Sequence, residues 1–496
     1  MLVTQALRAK VTLVWTGILL VVGMSSCGGG SSSTSQVPPP ANNSVPSLIS
    51  FSPFNATAGG AGFLLTLTGS GFAPNATVTW DGNALATTFV SSNQLTAQVK
   101  AADIAAPGIA QITISNPAPG GGVSNVFRFG VNPASPPANF LYAANFGDNT
   151  ISGYSVDPIS GALTALPSSP YAAAALYSNP GPMIRDRFGR FLYVANNGNL
   201  DCKECYSLTG LGSAGSGALT PLAGSPFFGL FSPTAFAADP TGNVVYLSAG
   251  PPLTNYGDIL TTSIDANSGA LTQVADSPGF LPLSSMVENP AGSFLYGTSQ
   301  VVAATNGVWV GSISPTTGAV TVVSGSPFGG MALSALALTP SGKYLFAVND
   351  NEGNVPQSTL LSFTINPTTG GLTPLNSIPY NFPVTLGGVV VHPSGGFLYV
   401  SDQGDNTILG FSIGGNGNLT PLAGSPFSAG AGSINPNFLA VDPAGKFLYA
   451  ANYDGGSVAA SNISAFTVDS SSGALTPVAG SPFPAGVEPN SLVIGP

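Results

Sequence analysis

The sequence predicts an all-β protein: a closed ring of seven four-stranded sheets, preceded by a smaller all-β unit. Three observations carry this. An aromatic anchor recurs at Tyr142, Tyr193, Tyr246, Tyr296, Phe346, Tyr399 and Tyr449, in steps of 51, 53, 50, 50, 53 and 50 residues. Each unit holds four short apolar runs divided by turn signals, and no stretch after residue 139 shows a helical apolar stripe. The chain ends are offset by one strand. No first run precedes Asn139, whereas Pro489-Asn490-Ser491-Leu492-Val493-Ile494 is a first run with no unit behind it. That lone strand can complete the first blade and close the ring as a seven-bladed β-propeller; a solenoid would need capping repeats instead.

The last complete unit shows the parts. Phe438 to Val441 leads into Asp442-Pro443-Ala444-Gly445, a type I turn sequence. Phe447 to Ala451 follows, then a loop rich in Asn, Asp, Gly and Ser. The third run, Ile463 to Val468, alternates with period two. Gly473 marks a turn into Leu475-Thr476-Pro477-Val478, whose proline suits only an edge strand. The unit ends on Ser481-Pro482-Phe483, a tail repeated at residues 225–227, 326–328 and 425–427.

Only 6% of residues are charged, against about 25% in an average soluble protein. The net charge of −10 disfavours nucleic acid and any basic patch for an anionic bilayer. Residues 1–27 read as an export signal: Arg8 and Lys10, then an apolar run from Val11 to Met24. Ser25-Ser26-Cys27 resembles a bacterial lipoprotein box, in which Cys27 is lipidated; an ordinary signal peptide with an incidental cysteine is the alternative. Residues 28–45 form a Gly/Ser/Pro tether. Residues 46–131 form the smaller all-β unit, 132–138 a linker and 139–496 the ring. The expected location is the cell envelope, with the lipid as the one membrane contact and the ring monomeric.

Candidate site residues are few. The loops after the second run carry most of the ring's acid, and Asp148, Asp402, Asp405 and Asp454 make a candidate ligand face; turn chemistry explains the same residues. No calcium-loop motif is present, and no cofactor or metal is expected. Cys202 and Cys205 form a local disulfide in an exported chain; zinc would need further ligands, and His392 is the single histidine. His392 occupies the turn position of Asp239 and Asp442, which predicts a turn role. Arg185 and Glu288 replace apolar residues on predicted inner strands. They are the candidate catalytic pair near the channel, or, for Arg185, part of a surface cluster with Asp186 and Arg187.

The strand Tyr193-Val194-Ala195-Asn196 and its equivalent Tyr449-Ala450-Ala451-Asn452, with Gly473-Ala474-Leu475-Thr476-Pro477 and Ser481-Pro482-Phe483, resemble the seven-bladed lactonase-like propellers. Ile49-Ser50-Phe51-Ser52-Pro53, Gly69-Ser70-Gly71-Phe72 and Val78-Thr79-Trp80-Asp81-Gly82 resemble the IPT/TIG immunoglobulin-like domains. The first resemblance implies a propeller that can act as a sugar lactonase through His, Arg and Glu at the channel mouth. This ring holds one histidine and six Lys/Arg. The leading expectation is therefore a binding platform for an unknown ligand, an envelope protein or a glycan. A 6-phosphogluconolactonase-like lactonase is the alternative.

Overall fold

Strand-period alternation in each repeat builds an antiparallel sheet whose four runs lie side by side in chain order, the first at the axis. The computed structural model describes residues 42–53, 55–106, 108–132, 139–173, 179–186, 188–199, 202–213, 215–227, 232–239, 244–250, 257–265, 267–299, 306–315, 317–349, 358–375, 380–382, 385–453 and 461–495. Residues 1–41, with Cys27, lie outside this set.

Blades 2 to 7 begin on Pro180–Arg185, Ser232–Ala238, Ser285–Glu288, Ala335–Leu338, Leu386–Val391 and Pro436–Val441. Blade 1 takes its inner strand from the end of the chain: Pro489–Gly495 pairs with Phe140–Asn145, Val493 opposite Tyr142 and Leu492 opposite Ala143. The ring closes as the offset chain ends predict.

Second strands are buried on both faces, as at Phe140–Asn145, Phe397–Asp402 and Phe447–Asn452. Residue parity decides which neighbouring blade a side chain meets. Leu141 and Ala143 pack with blade 7, whereas Tyr142 and Ala144 pack with blade 2. Two apolar faces on one strand explain why these runs read as continuous rather than alternating.

The blades are joined by a repeated hydroxyl-to-carbonyl bond. Tyr142 donates to the carbonyl of Gly217 in blade 2 at 2.6 Å, and Tyr193 to Gly269 in blade 3 at 2.7 Å. Tyr296 donates to Gly370 at 3.1 Å, Tyr399 to Gly473 at 2.7 Å, and Tyr449 closes the circle on Gly161 of blade 1 at 2.9 Å. Thr261 makes the bond from blade 3 to Gly318. Blade 5 carries Phe346 at the anchor, and there Tyr344 supplies the hydroxyl, to Gly415. Each acceptor from Gly161 to Gly473 that takes an anchor tyrosine has a positive φ, and a Cβ there would meet the Phe that opens the neighbouring second strand, 2.5 Å away at Gly473. Glycine is thus required twice over, by backbone conformation and by close approach.

One expectation changes. The sequence predicts a single edge strand for the fourth run, followed by a Ser-Pro-Phe tail. In the structure Leu475–Pro477 and Phe483–Pro484 both pair with the third strand, one after the other along its length. Blades 1, 4, 5 and 6 repeat this split edge. The tail is therefore part of the blade, and its Phe seals the outer end of the seam.

Residues from Ser47 to Asn132 form two facing sheets. Trp80, Phe51 and Phe63 gather around Phe129 in their core. Asp81 and Gly82 turn the hairpin with φ of 50° and 79°, as the Asp-Gly pair predicts. The strand Ala86–Ser91 pairs with Gln94–Val99, and Asn55–Thr57 runs parallel to Phe127–Asn132.

Removing the hydroxyl in Tyr399→Phe leaves the buried Gly473 carbonyl without its donor and should cost about 1–3 kcal/mol. Gly473→Ala adds backbone strain and a clash with Phe397, so it should lower the melting temperature further. Thermal unfolding monitored by circular dichroism checks both; a Tyr399→Phe ring as stable as the parent would remove the bond's importance.

Candidate functional site

Second strands end, at the face bearing the second-to-third loops, on one repeat position: Asn145, Asn196, Ala249, Ser299, Asn349, Asp402 and Asn452. In blades 1, 2 and 7 this is a fully buried asparagine. Its Nδ2 donates outward to the third strand. Asn145 reaches Thr150 Oγ1 at 2.8 Å and Ser152 Oγ at 2.9 Å; Asn196 reaches Ser207 Oγ and Thr209 Oγ1; Asn452 reaches Asn462 Oδ1 and Ser464 Oγ. The Oδ1 of all three is buried with no protein donor.

The same face is stiffened by a second repeated device. A residue with positive φ precedes a proline at the start of the inner strand: Asn179 before Pro180, Asn435 before Pro436, Glu488 before Pro489. Its N–H donates to a side chain of the preceding blade, respectively Asn149 Oδ1 at 2.8 Å, Asn406 Oδ1 at 2.8 Å and Ser461 Oγ at 3.1 Å. Asparagine tolerates this backbone region and glutamate does not. Glu488 therefore stands out, and its carboxylate accepts the Tyr453 hydroxyl, which together with burial raises the tyrosine's pKa.

The predicted ligand-face acids divide. Asp148 is occupied structurally: Oδ1 accepts Thr150 Oγ1 at 2.6 Å, and Oδ2 accepts the Val487 N–H at 2.9 Å, tying the closing strand to blade 1. Asp402 is 3% exposed, and burial pushes its carboxyl upward, with the neighbouring Asp405 charge adding to the effect. Asp405 is exposed. Asp454 lies outside the described residues. So do the side chains of Cys202 and Cys205, whose backbone opens the third strand of blade 2.

Arg185 and Glu288 lie on inner strands at the opposite face, where the Asp-Pro-x-Gly-type turns sit. Arg185 donates to Gly495 O at 2.8 Å, Gly189 O at 2.6 Å and Ser213 Oγ at 3.3 Å, and its guanidinium lies 5.1 Å from the Tyr142 ring centroid. It fastens the closing strand in the seam between blades 1 and 2. Glu288 shares the side of Met286, which packs in the seam between blades 3 and 4. The two are buried in separate seams, so the structure does not bring them together around one substrate. His392 donates through Nε2 to Gly445 O at 2.7 Å and accepts the Ser394 N–H at Nδ1, a turn role that commits both ring nitrogens.

Charge segregates between the faces. Every Lys and Arg of the ring whose side chain is described (Arg185, Arg190, Lys343 and Lys446) lies at the turn face, whereas the loop face holds Asp148, Asp258, Asp402, Asp405 and Glu488, together with the backbone of Lys203 at the start of the third strand of blade 2. A cavity of about 420 Å³ lined by Leu48, Phe51, Phe127, Asn289, Pro290 and Ile365, among others, has no titratable group in its wall and so no acid–base chemistry. The buried amides escaped the sequence reading, although the Tyr-x-x-Asn pattern displayed them, because asparagine beside a loop reads as turn chemistry.

Asp402 makes stability pH-dependent in a stated sense. A carboxyl whose pKa is raised on folding contributes stability below the ordinary aspartate range, and this is lost as pH rises through the raised value. Asp402→Asn, which restores the residue of blades 1, 2 and 7, should stabilise the ring at pH 7 by roughly 0.5–2 kcal/mol. The gain should vanish below about pH 4. Calorimetry at both pH values checks this; an equal gain at both would exclude the buried charge as its cause.

Comparison with known proteins agrees with this architecture. The family profile described as lactonase, 7-bladed beta-propeller, matches residues 378–490, and that of the IPT/TIG domain matches residues 46–129. No curated protein matches the sequence. Among solved structures, a periplasmic gluconolactonase of Pseudomonas aeruginosa aligns at 18% identity over 72% of this chain and 99% of its own, with a TM-score of 0.55. A candidate 6-phosphogluconolactonase of Bacteroides fragilis aligns at 18% identity over 72% and 98%, with a TM-score of 0.54. A hypothetical selenium-binding protein of Sulfolobus tokodaii aligns at 12% identity over 73% and 94%, with a TM-score of 0.52. At such identities the likeness is one of fold: an immunoglobulin-like domain whose residues 46–129 match the IPT/TIG model, followed by a seven-bladed propeller whose residues 378–490 match the lactonase propeller model.

Proposed function

We propose that this is an exported protein, anchored in the cell envelope through a lipid on Cys27, whose propeller is a binding platform with the loop face as its working surface. The observation that carries this reading is the segregation of charge. Among the described residues the loop face offers carboxylates, amides and hydroxyls and, by its backbone, a single cation, Lys203, next to Glu204 in sequence. Such a surface recognises uncharged or cationic groups and repels anions. The ligand class that fits is a neutral polyhydroxy compound, a sugar or the sugar portion of an envelope glycan, held by amide and carboxylate acceptors.

A second reading, a sugar lactonase, is favoured by the gluconolactonase among the structural neighbours. On this chain it would draw its acid or base from the loop face, where Glu488 is paired with Tyr453. Arg185 and Glu288, in separate seams of the turn face, do not supply it. A phosphorylated lactone would meet a face on which acids outnumber the single Lys203.

Calorimetric titration of the purified chain with neutral sugars, unphosphorylated sugar lactones and 6-phosphogluconolactone tests the reading. Binding of neutral ligands, weakened by Asn452→Ala and absent for the phosphorylated one, is expected. Preferred binding or turnover of the phosphorylated lactone would reverse it. For the anchor, intact-mass analysis of the mature chain should show acylation that disappears in Cys27→Ala; a mature chain starting elsewhere without added mass excludes it.

A further inference from the structure

The sandwich formed by the two sheets of Ser47 to Asn132 meets the ring at the turn face of blades 4 and 5. Ala291, in the first turn of blade 4, packs against the sandwich's own apolar core. Beside that contact lies the cavity of about 420 Å³, walled by Leu48, Phe51 and Phe127 from the sandwich and by Pro290, Phe294 and Ile365 from the ring.

The repeat shows that this wall has been stripped of charge. The turn after each inner strand uses one side-chain oxygen to hold the start of the second strand. In blade 2 Asp186 Oδ1 accepts the Phe191 N–H at 2.8 Å, and in blade 7 Asp442 Oδ1 accepts the Phe447 N–H at 2.7 Å. In blade 4 Asn289 Oδ1 accepts the Phe294 N–H at 2.9 Å, and in blade 5 Thr339 Oγ1 accepts the Tyr344 N–H at 3.0 Å. Blades 2, 3, 6 and 7 keep an ionisable residue at this position, Asp186, Asp239, His392 and Asp442. Only the two blades that wall the cavity keep the bond without one. The position after the turn glycine agrees. It is Arg190 in blade 2 and Lys446 in blade 7, but Ser293 in blade 4. Lys343 of blade 5 sends its ammonium away, to Gly415 O of blade 6 at 3.2 Å.

Desolvation beneath an apolar sandwich accounts for neutral turns, but not for the space left between them. A contact that serves only to hold two domains together is packed as closely as an interior. Here an opening within the size range of ligand sites, about 300–1,000 Å³, remains at a domain junction, where such sites are common. The amides in its wall are committed. Asn125 donates to Leu48 O and accepts the Leu48 N–H, and Asn289 serves its own turn. The wall therefore offers a guest aromatic and aliphatic surface, with Ser341 and Thr368 at the exposed rim.

We propose that this cavity is a binding site for one uncharged small molecule with an aromatic or cyclic apolar body, its polar edge turned to the rim. Apolar burial supplies the attraction, and the neutral wall rejects ions, which would lose their hydration without gaining a partner. The site is on the opposite face of the ring from the loop surface and does not depend on what that surface binds.

The test is fluorescence titration of the full chain with phenylnaphthylamine, an uncharged probe, and with anilinonaphthalene sulfonate, which adds a fixed negative charge to a similar body. Saturable binding of one neutral probe per chain is expected, with the sulfonate about tenfold weaker or worse. Thr368→Asp places a charge at the rim and Ser341→Trp a bulky ring. Both positions are exposed and lie on different turns, so the fold should persist, as an unchanged melting temperature would verify. Each should weaken the neutral probe about tenfold. Ile159→Ser, which removes a 90% exposed apolar side chain from blade 1, should leave binding unchanged. Absence of saturable binding, equal affinity for the sulfonate, or undiminished binding in folded Thr368→Asp and Ser341→Trp would overturn the site. So would loss of binding in Ile159→Ser, which would put the probe on the outer surface. Sugar titrations of the Thr368→Asp chain keep the two proposals apart, because binding at the loop face should be unaffected there.

Discussion

The hydrogen bond from an anchor hydroxyl to the glycine carbonyl of the next blade is the contact on which the ring depends. It needs three things at once. The phenol must stay protonated, and burial raises the pKa of Tyr193, Tyr296, Tyr399 and Tyr449 so that it does. At the five junctions that use an anchor tyrosine the acceptor has a left-handed backbone and no room for a Cβ, a constraint that Gly415 of the blade 5 junction escapes. An aromatic ring must cover the remaining space beside it. Blade 5 shows that the bond, rather than the residue, is what the frame requires: Phe346 has no hydroxyl, and Tyr344 supplies one two residues earlier. A ring with this bond at each of its seven junctions has no end from which to fray.

That frame decides where function can reside. The turn face is consumed by structure. Asp442 accepts the Phe447 N–H and receives the turn N–H of Ala444, Asp186 holds Arg190, His392 reaches Gly445, and Arg185 reaches Gly495. Each of these polar groups bonds within the fold, and Arg185 alone among them leaves a buried nitrogen, Nε, without an acceptor. The loop face differs because its amides are satisfied on one pole only. In a chain with so few charges, recognition there rests on neutral acceptors. These cost less to bury than ions and keep their directionality.

The fold was legible in the sequence because its determinants are local and repeated. The period, the turn at Asp442 to Gly445 and the orphan last strand each specify one feature, and the structure contains all three. The split outer edge was not legible, because Leu475-Thr476-Pro477 and Phe483-Pro484 are each too short to declare a strand; only pairing with the same third strand defines them. The site was legible in composition and hidden in geometry. The sequence singled out Arg185 and Glu288 as departures from an apolar pattern, correctly as buried residues. It could not say that strand parity sends them into different seams. Asp148 read as a candidate ligand because its hydrogen bond to Val487 spans 339 residues, a contact visible only once the ring has closed.

The internal repeat also acts as its own standard of comparison. Where seven copies share one backbone, a residue that fits its position poorly is informative. Glutamate at the left-handed position of Glu488, where Asn179 and Asn435 sit comfortably, is one such misfit. A buried aspartate at 402, where blades 1, 2 and 7 bear asparagine, is another. The arc with unpaired oxygens runs from blade 7 to blade 2, between and beside these two. Each feature costs stability that a ring built only to stand would not spend. They share one face and a neighbouring set of blades, opposite the face where the cations are used to hold the turns. Strain, buried charge and unpaired acceptors thus meet in one place on an otherwise regular frame, away from the Arg185 and Glu288 seams, and the proposed binding role belongs with that arc.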